Sequence, residues 1–596
     1  MNPHLTTPRT DPTGSIFARA LAVMLFSGLL LSGGCATTGS EADAEAETVE
    51  QSPAQAEEIA DAPAEPDYTD LDPDILYRLL LAEIAGQRGR VDVAMQELAA
   101  AAWESRDPWV ARRATRTALF AKDYDVALMT AERWLALTPA DAEARKNVAL
   151  LNLRKGNSDK AAEVMDDLLE QLADSPARRW DLAATMLSRE KDREGAVEVM
   201  KLVVSRHDDD PLAHLALGRL AIVARDLDLA RAASERALAL DPESTEAKAM
   251  LARVMATQGD DEAAITMMAE VVNARPEDQS LRMSFARMLL GAGRNAEARV
   301  QFERILEDRP EDADTLYALS LLALQNDDFD QAGELLERLA GTGERVDEVN
   351  YYRGVVASKR KQWAEALTFF DNVKGGDLHT EARLQGARMN AEIGDMASAR
   401  EQLRSLRARQ PELSIRGYLF EGELLRKKGM GGQAMSVYDE AVGRHPDSVD
   451  LLYARGLLGE AVGRVEVLKT DLRRVLELDP DNAHAMNALG YTMADMNENL
   501  DEAERLVRKA LELSPGEAAI VDSMGWVLFR RGKLEEAEKF LREALTLQFD
   551  GEIAAHLGEV LWAQDRRDEA RAVFDEARER DGENPALIET LQRLKL

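Results

Sequence analysis

The sequence predicts an all-α protein built as a linear array of helix-turn-helix repeats. Three observations carry that prediction: a fixed 34-residue period, a helix-favouring composition and one polar break inside each repeat. Ala230, Ala264, Ala298, Ala332 and Ala366 recur at 34 residues, and twelve residues before each stands Gly218, Ala252, Ala286, Ser320 or Gly354. Twelve residues after the first three alanines stand Pro242, Pro276 and Pro310. Aromatics are only 5% while Ala and Leu recur throughout, which favours helix over sandwich or barrel. With slips of one residue the small-residue phase extends back through Ala184, Ala149, Thr115 and Ala82. It extends forward through Ala387, Gly422, Gly456, Gly490, Gly525 and Gly558, giving fifteen repeats.

Length and charge bound the rest. A compact chain of 596 residues implies roughly four domains, but the period replaces them with one quasi-linear array. The 109 acids against 74 bases give a net charge of -35, a field that repels polyanions and argues against nucleic acid as the main ligand. The single cysteine excludes a disulfide framework and cysteine-based zinc sites.

The first segment, residues 1–35, reads as an export signal. Arg9 and Arg19 precede an apolar run from Ala20 to Leu31, too short to span a bilayer, and Ser32-Gly33-Gly34-Cys35 follows. This resembles a bacterial lipobox, with Ser32 where leucine is usual and Leu31 one step further away. The resemblance implies lipidation of Cys35, a chain that starts there and, with Ala36 next, sorting to the outer membrane, lipid-anchored and facing the periplasm. Several acyl chains anchor stably where one does not. The alternative is a soluble exported protein with a free thiol.

Residues 36–70 hold eleven acids and no Lys or Arg, in runs such as Ala42-Asp43-Ala44-Glu45-Ala46-Glu47. High charge with few large apolar residues cannot offset chain entropy, so a disordered acidic tether is expected. The first 35 residues carry +1 and the tether -11, which leaves -25 of the -35 on residues 71–596.

The array, residues 71–596, is legible unit by unit. From Leu212 to Ala224 the apolar residues fall at helical spacing, Arg225-Asp226-Leu227-Asp228 makes a polar turn, and Leu229 to Ala239 forms a second amphipathic helix ended by Asp241-Pro242. The small residue and the later alanine let the two helix backbones approach. Each hairpin has too little core to stand alone and must stack on its neighbours. Three departures stand out. Leu468 replaces the later alanine and is expected to push its two helices apart, and Asn497-Glu498-Asn499 adds a residue to a turn. Gly341-Thr342-Gly343 and Gly375-Gly376 read as helix-ending glycines, with hinges as the alternative.

Catalytic signatures are missing from the sequence. It has no His-Glu-x-x-His, no phosphate-cradling glycine loop after a strand and no Gly-x-Ser-x-Gly elbow. His207 beside Asp208, Asp209 and Asp210, with His214 further on, is the nearest approach to a metal cluster. Its place before Pro211 suits a helix cap better than a metal site. Acid pairs are uninformative in so acidic a chain. The reading is therefore non-enzymatic, with no cofactor and no metal; a hydrolase with an unrecognised site is the remaining alternative.

A period of 34, with Leu217-Gly218, Ala230, Ala237 and Pro242 in one unit and Leu557-Gly558, Ala570, Phe574 and Ala577 in another, resembles the tetratricopeptide repeat. The resemblance implies a superhelix whose groove is lined by first helices, three positions before and one after the small residue. Carried over, these positions give Arg112, Arg116, Lys146, Arg219, Arg253, Arg287 and Arg388, a basic row suited to gripping carboxylates of an extended partner. The alternative is that these side chains pair with neighbouring acids. Further along, the same positions give Tyr453, Asn487, Tyr491, Asp522 and Trp526, with Phe529 and Trp562 beyond, as interface anchors or as core filling of the terminal units. Asn487-Ala488-Leu489-Gly490-Tyr491, Asp522-Ser523-Met524-Gly525-Trp526-Val527 and the run Ala554 to Trp562 are similar to large tetratricopeptide-repeat lipoproteins of proteobacteria. That likeness implies a periplasmic scaffold or adaptor for other proteins, such as a carboxyl-terminal processing protease and peptidoglycan hydrolases. The alternative is an assembly scaffold for a secretion, pilus or polysaccharide-export complex.

Overall fold

A computed structural model describes residues 72–596; the export signal with Cys35 and the acidic tether lie outside the described residues. Those residues form α-helices joined by short turns, with one 3-10 turn at Pro411–Leu413. They are fifteen helix-turn-helix pairs followed by a single closing helix, Pro585–Leu594, which agrees with the fifteen repeats read from the period. The chain divides into two compact units, residues 72–310 with seven pairs and residues 311–596 with eight pairs and the closing helix. No helix among the described residues is long and apolar enough to cross a membrane.

Helix starts follow from aspartates at the turns. Asp107, Asp226 and Asp312 each accept a backbone N–H of the helix they precede, at 2.8–3.0 Å. This caps free donors and sets negative charge against the positive helix end. It also explains part of the folded region's acidity. In the unit read above, the first helix is Pro211–Ala224 and the second Leu227–Leu240, which begins two residues earlier than the pattern suggested because Asp226 caps it. Two caps serve twice: Asp141 also accepts the indole N–H of buried Trp134 at 3.1 Å, and Asp210 that of buried Trp180 at 2.7 Å.

The periodic residues lie where the helices of a pair touch. Ala230, Ala264, Ala298, Ala332 and Ala366 are fully buried. On the facing helix, a Cβ on Gly354 would stand 2.7 Å from Phe370 Cε1 and, in a later pair, one on Gly490 2.6 Å from Val507 Cγ2, while one on Gly218 would stand 2.7 Å from Met250 Cε of the next pair. The small residue is thus a steric requirement and not a helix signal. At Gly558 the missing Cβ space is filled by the buried ring of Phe574, whereas exposed Gly443, inside Gly431–Arg444, has open space around it. Gly558→Ala is therefore expected to destabilise by about 1–3 kcal/mol through overpacking. Gly443→Ala is expected to stabilise by roughly 0.5–1 kcal/mol through helix propensity. Chemical denaturation midpoints of the two variants check the opposite signs.

The departures resolve differently. Leu468 does not push its helices apart. It is fully buried, and a Cβ on Gly456 would lie 3.5 Å from its Cα, because Gly456 and Gly459 together vacate the space that alanine vacates elsewhere. Asn497 and Asn499 absorb the inserted residue with φ of 57° and 44°, a backbone region that asparagine tolerates better than most residues. Gly343 ends the helix Phe329–Thr342 at φ 73° and Gly376 stands at φ 71°. Asp347 fixes the second turn by accepting the N–H groups of Lys374 and Gly375 at 2.7 and 3.1 Å.

Candidate protein-binding face

The first helices of successive pairs pack side by side within each unit, so residues at one register position form a row. In residues 72–310 that row is basic but largely engaged. Arg112 and Arg116 both bind Glu143, at 2.6 and 2.8 Å, and Arg112 also stands 5.5 Å over the ring of Trp134. Arg219 pairs with Asp181 at 3.1 Å, and Lys146 is exposed. Burial pushes the Arg253 guanidinium below its ordinary value, and the neighbouring charge of Arg219 pushes the same way. Two like charges on one face raise its affinity for an incoming anion. Arg287 occupies the same register one pair further on, half-buried. The acids Glu143 and Asp181, which tie this row together, were not singled out by the sequence pattern. Their register positions are the only signal that could have found them.

The histidine–aspartate run is absorbed by structure. His207 Nε2 lies 2.8 Å from an Asp166 carboxylate oxygen, and its ring meets Trp180 edge-on at 5.3 Å. His214 Nε2 lies 3.0 Å from the Asp208 carbonyl, and Asp210 caps the next helix.

In residues 311–596 the row changes character. Arg388 stands 5.3 Å over the Phe420 ring. Tyr453 is half-buried, and burial, with Glu517 adding, pushes its phenol up to about 12. Tyr491, Asp522 and Trp526 come together as the register implies, joined by Glu552 and His556, whose roles the pattern did not reveal. Tyr491 donates from its hydroxyl to Glu552 at 2.9 Å across 61 residues of sequence. His556 Nδ1 lies 2.9 Å from Asp522 Oδ1, and its ring stacks on Trp526 at 4.1 Å and 23°. Trp526 is only 4% exposed, held between His556 and Phe529. Trp562, half-buried, lies 3.9 Å beneath the Arg567 guanidinium. The next acid along, Glu559, accepts from the Thr590 hydroxyl at 3.0 Å and pairs with Arg593.

Comparison with known proteins places the chain. It is 30% identical over 505 residues to a TPR repeat-containing protein of Pseudomonas aeruginosa, covering 83% of this chain and 84% of that protein. The chain belongs to the tetratricopeptide-repeat proteins. Tetratricopeptide-repeat families match residues 113–176, 289–349, 469–518 and 523–585. The TPR domain of cytochrome c-type biogenesis protein H matches residues 200–314. The chain is also 30% identical over 211 residues to cellulose synthase 2 operon protein C of Komagataeibacter xylinus, covering 35% of this chain and 16% of that protein. Among solved structures, the APC/C hetero-tetramer Cut9–Hcn1 aligns with 80% of this chain and 95% of its own at 15% identity and a TM-score of 0.31.

Tetratricopeptide-repeat proteins act as protein-interaction scaffolds. In this array the first-helix rows present arginines paired with carboxylates in residues 72–310, and aromatic rings set among carboxylates in residues 311–596.

Proposed function

We propose that this protein is a lipid-anchored adaptor on the periplasmic side of the outer membrane, one that brings a carboxyl-terminal processing protease to cell-wall hydrolase substrates. The observation that carries the reading is the unlike chemistry of the two first-helix rows. An adaptor holding two different proteins at once needs two surfaces that discriminate between them, and charge complementarity supplies that discrimination. The lipobox-like segment ending at Cys35 supports the anchor, and the acidic tether supports a body held near the membrane without fixed orientation. A second reading, a scaffold for a secretion, pilus or polysaccharide-export complex, is favoured by the match to cellulose synthase 2 operon protein C.

Pull-down from a membrane extract with the Cys35→Ser chain separates the two. Recovery of a processing protease or a wall hydrolase supports the adaptor; recovery of export or secretion subunits in their place overturns it. Joint replacement of Arg219, Arg253 and Arg287 by glutamine is expected to weaken capture of one partner about tenfold or more, the equivalent of ~1.4 kcal/mol. Capture unchanged by the triple replacement refutes a role for that row.

A further inference from the structure

The first described helix, Pro73–Gln87, carries an apolar face that nothing in its own pair covers. Leu76, Tyr77, Leu80 and Ile84 are 43–66% exposed, on the side away from buried Ala82 and Ala85. Counted from the small residue of their pair, Ala82, the positions of Tyr77, Leu80 and Ile84 are those of Ala247, Met250 and Val254 in a later pair, where all three are buried. Met250 shows what such a position meets. Its Cε lies 2.7 Å from the place that a Cβ on Gly218, in the preceding pair, would take. The first helix therefore has the contact surface for a preceding helix that the described residues do not supply. Terminal repeats ordinarily turn a polar face outward. The closing helix does so, with Leu587 and Leu591 buried and Glu589, Gln592 and Arg593 exposed.

This chain has little of its own to lay on that face. Residues 36–70 offer only Val49, Ile59 and Tyr68 as large apolar side chains, set among eleven acids at a spacing that makes no helical stripe. The apolar run Ala20 to Leu31 leaves with the export signal on the reading above. The polar outer face of the closing helix does not suit a head-to-tail contact either.

A second copy of the same helix does fit. Leu76, Leu80 and Ile84 recur at four residues about the middle residue of the helix, Leu80, so the stripe presents a similar surface in either direction, as an isologous contact requires. Asp72 and Asp74 stand at its start and Arg88 just past its end, all exposed. Antiparallel approach sets the acidic end of each helix against the basic end of the other and opposes the two helix dipoles favourably. The other charges of the helix are held within the chain: Arg78 by Glu97 and Glu104, each at 3.1 Å, and Glu83 by Arg113. Residues 72–137 hold ten acids and nine bases, so this end escapes the acidity of the rest and repels its own copy little. The acidic tethers leave from opposite ends of the paired helices, about 22 Å apart for fifteen residues, well past the Debye length of about 8 Å.

We infer that two copies of this protein pair through antiparallel Pro73–Gln87 helices, with Leu80 at the two-fold axis. The inference goes beyond the adaptor reading and shares with it only the export signal. A dimer doubles each binding face, so an oligomeric partner is held at two points.

Sedimentation of the Cys35→Ser chain tests it. One helix pair buries less than a standard interface, so a dissociation constant on the order of 10 µM is expected, with dimer prevailing at about 100 µM. Leu80→Glu sets two like charges against each other at the axis and alters a side chain that is exposed in the single chain. It is expected to weaken pairing at least about tenfold with the circular dichroism unchanged. Because Cys35 is the only cysteine, Leu80→Cys in the same chain should cross-link to its own copy under oxidised glutathione, whereas exposed Phe120→Cys, on a later helix, should not. A monomer at about 100 µM overturns the inference. So does a dimer indifferent to Leu80→Glu, or cross-linking as fast through Phe120→Cys as through Leu80→Cys. A monomer that binds phosphatidylcholine vesicles, and loses them on Leu80→Glu, would give the face to a lipid surface and overturn the inference too. Pull-down bears on the adaptor alone. A chain that pairs but captures no protease or wall hydrolase keeps the inference and loses the adaptor, and a monomer that captures them does the reverse.

Discussion

Glu421→Gln is expected to destabilise the region of residues 396–444 by about 3–5 kcal/mol, the cost of stranding a buried charge. Glu421 is 1% exposed and joins two arginines, accepting from Arg400 Nε at 2.8 Å and from Arg407 Nη1 at 2.6 Å. Arg400 reaches solvent and loses little. Arg407 does not: its side chain is 9% exposed and its guanidinium lies 4.1 Å over the Tyr418 ring. Removing the carboxylate charge leaves that guanidinium desolvated, with only the ring and a neutral amide oxygen as compensation. Replacing both members, Glu421→Met with Arg407→Met, is expected to recover most of the loss, since an apolar pair of similar volume often substitutes for a buried ion pair. Because each repeat contacts only its neighbours, the effect is local. Hydrogen exchange over residues 396–444 should report it more sharply than a global melt. A single variant whose exchange matches the parent chain would show that the ion pair adds nothing.

The fold was legible because its determinants repeat. Fully buried Ala230, Ala264 and Ala298 and the close approaches at Gly218 and Gly490 impose one steric demand per pair, and that demand repeats at a fixed phase. Leu468 shows where phase alone misleads. The large residue is accommodated by two glycines on the facing helix, and a pattern that scores each position separately does not register such compensation.

The candidate face was legible in position but not in partnership. Register correctly grouped Arg112 with Arg116 and Tyr491 with Trp526, but it gave no sign that the first two share Glu143 or that Tyr491 reaches Glu552. In a chain with 109 acids, every arginine has several carboxylates at plausible spacing. The choice among them is made by helix crossing geometry. Trp526 illustrates the same gap. An aromatic in that register reads equally as an interface anchor or as core filling, and His556 from the following repeat stacks over it and buries the ring.

That stacked histidine gives the second large effect, and one whose sign depends on pH. His556 is 5% exposed with Asp522 at 2.9 Å. Burial pushes the imidazole down, but the charge and hydrogen bond of Asp522, with Glu552 and Glu559 adding, outweigh it and hold the group above its ordinary value of 6.5. A histidine whose folded pKa exceeds its unfolded one stabilises fully below the unfolded value and loses that contribution as pH rises through the folded one. The parent chain should therefore lose stability in residues 483–594 as pH climbs from about 6.5. Asp522→Asn removes the charge that outweighs burial, so His556 becomes a buried base that resists protonation and the slope reverses, with stability rising as pH increases. At about pH 6 the variant is expected to be less stable by roughly 3–5 kcal/mol, the cost of breaking a buried pair by one partner. Once pH exceeds the folded value the histidine is neutral in both chains and the gap should narrow. Denaturant unfolding of parent and variant across this range decides the matter. Parallel pH profiles would mean that His556 stays neutral beside Asp522, with Trp526 stacked on an imidazole and not on an imidazolium.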